Sequence, residues 1–183
     1  MNRVRQQLGA SYAYERGLFG EGIGVAVLDS GIAADHPDLK GRVVYARSFG
    51  SRADTRDECG HGTHISGIIG GNGTASGGRY QGLAPRCHFL SLKVLDRKGN
   101  GGAGNVIDAL HWIMEHGAEY QVRIVNISMG GTIQGVEAQE LLRAVEETWN
   151  AGFVVCAAAG NQEPGRQSIT VPGTSRKIIR AEE

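Results

Sequence analysis

The run GIGVAVLDSGI, residues 22–32, gives the clearest indication of the fold. Small and β-branched apolar residues follow one another up to Asp29, and a Ser-Gly turn comes next. An apolar run of this length, bounded by turn residues, is typical of a strand that is covered on both faces, as the strands of parallel sheets are. We therefore predict a buried strand over residues 22–29 with a carboxylate at its carboxyl end.

Strand-like runs and helical patterns alternate along the rest of the chain. Further strands are predicted at residues 42–49, 88–95, 122–129 and 153–159, and helices at residues 104–117 and 135–152. The apolar faces predicted for the two helices are Val106, Leu110, Ile113 and Met114 for the first, and Val136, Leu141, Val145 and Trp149 for the second. The alternation predicts an α/β fold with a mostly parallel sheet and helices on both faces. Ligands of such folds bind at the carboxyl ends of the strands.

The composition argues against nucleic-acid and membrane partners. The 19 Lys and Arg residues balance 19 Asp and Glu residues, so there is no basic field that would attract nucleic acid or an anionic membrane. No apolar run approaches the length that spans a bilayer, and the N-terminus lacks the apolar region of a secretory signal. The three cysteines are Cys59, Cys87 and Cys156, an odd number that argues against a disulfide framework. These features favour a cytoplasmic location, with secretion left open.

Three polar residues stand where predicted strands end or predicted helices begin. Asp29 ends the first strand, His61 lies between glycines in DECGHGTHISGIIGG (57–71), and Asn161 follows the last strand in FVVCAAAGNQEPG (153–165). Taken singly, each has a structural explanation: Asp29 and Asn161 cap turns, and His61 begins a helix or lies in the core. Taken together they are much more specific, because an aspartate, a histidine and an amide at strand ends are suited to acyl-transfer chemistry.

These segments resemble those of the subtilisin-like serine proteases. The supporting matches are HPDL (36–39), GLAP (82–85), LKVLD (92–96) and NISMGG (126–131). The resemblance implies that Asp29 orients the histidine, that His61 is the general base and that Asn161 donates to the oxyanion. It also implies a serine endopeptidase that hydrolyses peptide or protein substrates.

The resemblance further implies where the substrate binds. The segment GNGGAG (99–104) is similar to the glycine-rich segment that pairs with the substrate backbone, a form of strand addition. The segment SMGG is similar to the one beside the pocket for the substrate side chain. The substrate-binding residues implied are Gly99, Gly101, Gly102, Ser128, Met129 and Gly130. The structural alternative is that both segments are surface turns.

This chemistry requires no cofactor, but two groups of residues in the sequence suggest metal sites. Asp38 matches a carboxylate that helps bind calcium in many relatives, although the loop 71–82 departs from their pattern, so calcium remains a secondary expectation. A metal-binding module built on Cys59, His61 and His64 is a rival function, but it lacks an evident fourth ligand. The resemblance implies instead that His64 is a structural residue, hydrogen-bonded under the site.

The segment SITVPGTSRKII (168–179) contains a serine in a sequence similar to that around the nucleophile of the family. Ser175 is followed by Arg176 and Lys177, whereas the family serine begins a buried helix with small residues, where two long cations would be costly to desolvate. The segment is more similar to an earlier family segment that leads into the next strand. We therefore expect that Ser175 is not the nucleophile.

Three expectations follow from this assignment of Ser175. Residues 1–183 would be one partial subtilisin-like peptidase domain, without the last strands and the serine-bearing helix, and inactive by itself. A sheet face would be exposed, available for self-association or for a complementing chain. The alternative function is a non-catalytic relative that binds peptides or regulates.

Overall fold

A six-stranded parallel sheet forms the centre of the molecule in the computed structural model, which describes residues 2–131, 133–160 and 170–181. The strands are β1 (Gly24–Asp29), β2 (Val43–Ser48), β3 (His88–Lys93), β4 (Val122–Ile127), β5 (Val154–Ala158) and β6 (Ile179–Ala181). They lie in the order β2-β3-β1-β4-β5-β6, and every neighbouring pair is parallel. The order reverses at β1, so the carboxyl end of β1 is the expected ligand site of the sheet.

Helices pack on both faces of this sheet. The helices are α1 (Asn2–Gln7), α2 (Ala10–Tyr14), α3 (His61–Gly70), α4 (Ala103–His116) and α5 (Gly135–Asn150), with short 3₁₀ turns at Thr74–Ser76 and Gly117–Tyr120. On one face α4 and α5 pack against each other and bury the larger core, which includes Leu28, Leu92 and Val125. On the other face Ile65 and Ile69 of α3 pack on a smaller core that includes Val25 and Phe89. Within the described ranges, no helix combines the length and apolar character needed to cross a bilayer.

The two ends of the sheet differ in how they are covered. All six residues of β1 are buried, whereas burial alternates along β5 and all three residues of β6 are exposed. We call the incompletely covered surface the open face; its side chains are Asn126, Val154, Cys156, Ala158, Ile179 and Ala181. None of the helices in the described ranges buries it.

The predicted fold class is confirmed, and the strands and long helices lie where the sequence placed them. The structure adds a sixth strand, β6, which was not among the five predicted strands and begins within the segment SITVPGTSRKII. Two helix faces need correction. Val136 is 70% exposed, because the buried stripe of α5 passes through Ala138, Leu141, Val145 and Thr148 instead. Met114 is only partly buried, and Trp112 takes the buried position on α4.

Candidate active site

The site begins at the carboxyl end of β1, where Asp29 is completely buried. Its Oδ1 atom accepts a hydrogen bond from the backbone N–H of Ser30, at 2.7 Å. The chain then turns sharply at Gly31, whose φ of 113° is left-handed and favours glycine. The turn directs the chain away from the sheet and leaves the carboxylate facing the start of α3.

His61 is the first residue of α3, and its ring meets Asp29. The Nδ1 atom lies 2.8 Å from Asp29 Oδ1 and 2.9 Å from Oδ2, and the side chain is 44% exposed. Because the buried carboxylate accepts the Nδ1 hydrogen, Nε2 is the nitrogen that can take a proton from another group. This is the orientation that a general base on a partly exposed histidine needs.

The approach of α3 to β1 depends on the glycine after the histidine. A Cβ atom on Gly62 would lie 2.1 Å from the carbonyl oxygen of Gly31 and 3.0 Å from the Cβ of Asp29. Any side chain there would push the helix away from β1. The glycine in the GHGTH sequence therefore sets the distance between His61 and Asp29.

All six predicted substrate-binding residues line one or both of two adjoining cavities. A cavity of about 540 Å³ is lined by His61 and by Gly99, Ser128, Met129 and Gly130, together with Cys156 and Ala158 of the open face. A second cavity, of about 250 Å³, is lined by Gly99, Gly101, Gly102, Met129 and Gly130, with apolar side chains such as Val106, Ile133 and Leu141. Gly99, Met129 and Gly130 line both. The glycine-rich segment and the SMGG segment thus lie on the same cleft, and the cleft leads to His61.

Ser175 lies elsewhere. Its hydroxyl donates to Glu146 Oε1 of α5 at 2.9 Å and accepts from the backbone N–H of Lys177 at 3.2 Å. Lys177 Nζ lies 3.3 Å from the same glutamate. Ser175 is 4% exposed and is absent from the lining of the His61 cavity. This supports the interpretation that Ser175 is a structural residue. Both cations that follow it are exposed, so neither has to be desolvated.

Other predicted residues have different outcomes. Asn161 lies outside the described residues, so its predicted role stays a prediction. His64 is exposed, not hydrogen-bonded under the site, because it stands on the side of α3 that faces away from β1. In the described part of the chain, no group of three or more His, Cys, Asp or Glu residues could hold a metal ion, which removes the support for the Cys59, His61 and His64 site.

Asp38 and Asn72, beside which calcium is a secondary expectation, take part in hydrogen bonds of the loop that follows α3. Asp38 Oδ1 accepts the backbone N–H of Ala75 at 2.7 Å, and Asn72 Oδ1 accepts the N–H and the hydroxyl of Thr74. These hydrogen bonds close the loop around Asp38, and calcium binding there stays a prediction.

Sequence reasoning overlooked two residues at the edge of the site, Ser30 and Asp57. The Ser30 hydroxyl donates to Asp57 Oδ1 at 2.8 Å and accepts from the N–H of Gly62 at 3.0 Å. An aspartate placed shortly before a helix start is a capping signal that could have identified Asp57. Its contact with Ser30 could not have been found this way, because the two are far apart in sequence.

Comparison with known proteins agrees with this geometry. The sequence profile of the Subtilase family matches residues 20–181. The chain belongs to the subtilase family. It is 38% identical over 169 residues to the serine protease AprX of Bacillus subtilis, an alignment that covers 88% of this chain and 38% of AprX. It is 36% identical over 143 residues to thermitase of Thermoactinomyces vulgaris, covering 78% of this chain and 48% of thermitase.

Solved structures of subtilases are similar as well. The chain superposes on the S41 psychrophilic protease with a TM-score of 0.77 at 31% identity, and on sphericase with a TM-score of 0.78 at 28% identity. Each superposition covers 88% of this chain and 53% of the other. The subtilase chain described here therefore spans less than half the length of AprX and thermitase, and about half of the solved chains.

Proposed function

We propose that these residues provide the aspartate, the histidine and part of the substrate cleft of a serine endopeptidase, and that the nucleophile is a serine other than Ser175. The observation that supports this most strongly is the contact of a buried carboxylate, Asp29, with Nδ1 of a partly exposed histidine, His61. The 183-residue chain by itself is then inactive as a peptidase.

The proposed reaction uses His61 to move a proton. His61 Nε2 takes the hydroxyl proton of the nucleophilic serine as its oxygen bonds to the peptide carbonyl carbon. The imidazolium, stabilised by Asp29, returns that proton to the departing amine as the C–N bond breaks. In the second half of the reaction, the same nitrogen takes a proton from water as the water oxygen bonds to the acyl carbon. The ester bond to the serine then breaks, and the imidazolium returns the proton to the serine oxygen. Asn161 is proposed as an oxyanion donor.

The proposed substrate is an extended peptide. Its backbone would pair with the glycine-rich segment Gly99–Gly102, where the absence of side chains lets another strand approach. The adjoining cavity of about 250 Å³ has an apolar wall that includes Leu95, Val106 and Leu141. We therefore propose that the substrate places an apolar side chain there.

The open face is proposed as the place where the serine-bearing segment packs. The His61 cavity is continuous with the open face through Cys156 and Ala158, so a segment covering that face would also reach His61. Val154 and Ile179 are 38% and 50% exposed, and covering them would bury apolar surface. Without that segment, we expect the face to mediate self-association at high concentration.

A cytoplasmic location is also proposed, and it rests on the cysteines. Cys59, Cys87 and Cys156 are all free thiols in the described part of the chain. Free thiols persist in a reducing compartment. Fractionation of cells that express the natural gene would test this.

A fusion protein tests the proposed function. Residues 1–181 are continued by the part of AprX that follows its matched region, a protein referred to below as the AprX fusion. We expect the fusion to hydrolyse a fluorogenic peptide, and expect His61→Ala to lower kcat on the order of a millionfold, as loss of the histidine does in subtilisin. The 183-residue chain is expected to show no hydrolysis.

Two results would contradict the proposal. Hydrolysis by the 183-residue chain that is abolished by Ser175→Ala would make Ser175 the nucleophile. A folded fusion that binds peptide but does not cleave it would favour the alternative, a non-catalytic peptide-binding relative. Circular dichroism of the fusion separates that outcome from simple misfolding.

A further inference from the structure

We propose that Asp57 is a positioning residue whose carboxylate fixes the start of α3 against the end of β1 and so holds the His61 ring on Asp29. This inference rests on the proposed function, since it concerns the same aspartate and histidine. It rests on hydrogen bonds that join the start of α3 to the end of β1. We call the residues that make these bonds the Asp57 network: Ser30, Asp57, Cys59, Gly60, Gly62 and Thr63.

The start of α3 lacks an ordinary cap. Gly60 is the N-cap residue; its φ is 87°, and it has no side chain to accept the first N–H groups of the helix. The network supplies those acceptors instead. Thr63 N–H donates to Asp57 Oδ2 at 2.9 Å, and Gly62 N–H donates to the Ser30 hydroxyl at 3.0 Å. A carboxylate at this position also interacts favourably with the positive end of the helix dipole.

Asp57 contacts the neighbours of both Asp29 and His61. Its Oδ1 atom accepts the N–H of Gly60, which precedes His61, at 2.7 Å, and the hydroxyl of Ser30, which follows Asp29, at 2.8 Å. One carboxylate oxygen therefore links the residue next to the base with the residue next to its orienting group. A displacement of Asp57 would change the distance between His61 and Asp29.

The acceptor capacity of Asp57 is already filled. Its two oxygens accept from the Ser30 and Thr63 hydroxyls and from the N–H groups of Cys59, Gly60 and Thr63. A carboxylate offers about four lone-pair sites, so no capacity is left for a metal ion or a substrate. Burial of the carboxyl raises its pKa, but the hydrogen bonds from Thr63, Gly60 and Ser30 together lower the pKa below the ordinary value for aspartate.

The loop that contains Asp57 is itself held in place. Gly31 packs so closely on it that an added Cβ would lie 2.8 Å from the carbonyl oxygen of Thr55 and 3.1 Å from the N of Asp57. From the other side, the buried Lys93 donates its ammonium to the carbonyl oxygen of Arg56. The carboxylate is therefore presented from a fixed backbone, as positioning requires.

The tautomer of His61, read from ¹H–¹⁵N correlation spectra of the 183-residue chain, tests this inference. At about pH 9, above the usual titration range of imidazole, we expect His61 to carry its proton on Nδ1. In Asp57→Asn the Nδ1–H fraction should fall toward that of the exposed His111, because the amide cannot accept from all the same donors. Asp96→Asn is the matched control, since Asp96 accepts two backbone N–H groups, from Lys98 and Asn100, in a separate loop. It should leave the His61 tautomer unchanged.

The outcomes separate this inference from the proposed function. If wild-type His61 resembles His111, Asp29 and His61 do not act as a pair, and both proposals fail. If wild-type His61 is fixed on Nδ1 and Asp57→Asn leaves it so, only the positioning role of Asp57 fails. If Asp57→Asn does not fold, Ser30→Ala decides: a lowered Nδ1–H fraction supports the inference, and an unchanged one overturns it. In the AprX fusion, Asp57→Asn should lower kcat at least tenfold with KM changed less than about twofold.

Discussion

The side of the sheet that α3 covers and the open face next to it are parts of one surface with opposite environments. Under α3, Val25 and Phe89 are 1% and 0% exposed. On the open face, Val154 and Ile179 are 38% and 50% exposed, although both belong to the same sheet. His61 lies between the two regions, since it begins α3 and also lines the cavity that reaches Cys156.

This difference explains how a partly exposed histidine can be held rigidly. Its orienting partner, Asp29, belongs to the fully covered strand, and the Asp57 network ties the helix start to that strand. Its reactive edge faces the region that lacks a covering helix in the described ranges. The covered region therefore fixes the geometry of the Asp29–His61 pair. The serine proposed as the nucleophile would approach His61 from the open face.

The largest expected effect is a difference in stability between alanine substitutions at two glycines of α3, one that faces β1 and one that does not. Gly62→Ala should destabilise the chain by several kcal/mol, because its Cβ would meet the Gly31 carbonyl at 2.1 Å and backbone must move. Gly67→Ala is the control in the same helix: an added Cβ there meets nothing within 4 Å, and alanine should stabilise the helix by up to about 1 kcal/mol. Urea unfolding of both variants measures this, and equal effects would contradict the close packing of α3 on β1.

The three thiols should react at different rates, because they differ in how far the surrounding structure covers them. Burial raises the pKa of the Cys87 thiol to about 11, and it also raises the pKa of Cys156, whereas Cys59 is exposed. With a disulfide reagent near pH 8, Cys59 should react first, Cys156 next, and Cys87 at least about a hundredfold more slowly than Cys59. Mass spectrometry of quenched samples gives the order. Rapid labelling of Cys87 in folded protein would show that α3 does not cover it.

The same Cys87 shift predicts a pH dependence of stability. Its folded pKa of about 11 lies above the reference value of 9.0, so between these pH values the unfolded chain loses this proton and the folded chain keeps it. The free energy of unfolding should therefore fall as pH rises from about 9 to 11. In Cys87→Ala this part of the decline should be absent, which chemical unfolding at several pH values would show.

A matched pair of valines gives a smaller difference. Val25→Ala should lower the free energy of unfolding by about 2 kcal/mol, because it removes two fully buried methyl groups. Val154→Ala should lower it by less than about 1 kcal/mol in the 183-residue chain, since that side chain is 38% exposed. In the AprX fusion the two values should converge if the added part covers the open face. A persistent gap would contradict the proposed covering.

The sequence predicted those parts of the molecule that depend on local pattern. The apolar runs located the strands, and the segments around Asp29 and His61 indicated a pair that the structure brings into contact. Val136 was misplaced because helical periodicity fixes a stripe only approximately near a helix end. The Asp57 network was not predicted, because it joins groups from β1, a loop and α3, and no single segment contains its pattern.

Fluorophosphonate labelling of the folded 183-residue chain, with the adduct located by peptide mass spectrometry, tests the central claim most directly. The claim is that Asp29 and His61 are poised for catalysis while Ser175 is bound to Glu146 and does not act as the nucleophile. We predict no adduct on Ser175 in a chain that circular dichroism shows to be folded. An adduct on Ser175 that disappears in His61→Ala would contradict the account and make this chain a complete hydrolase.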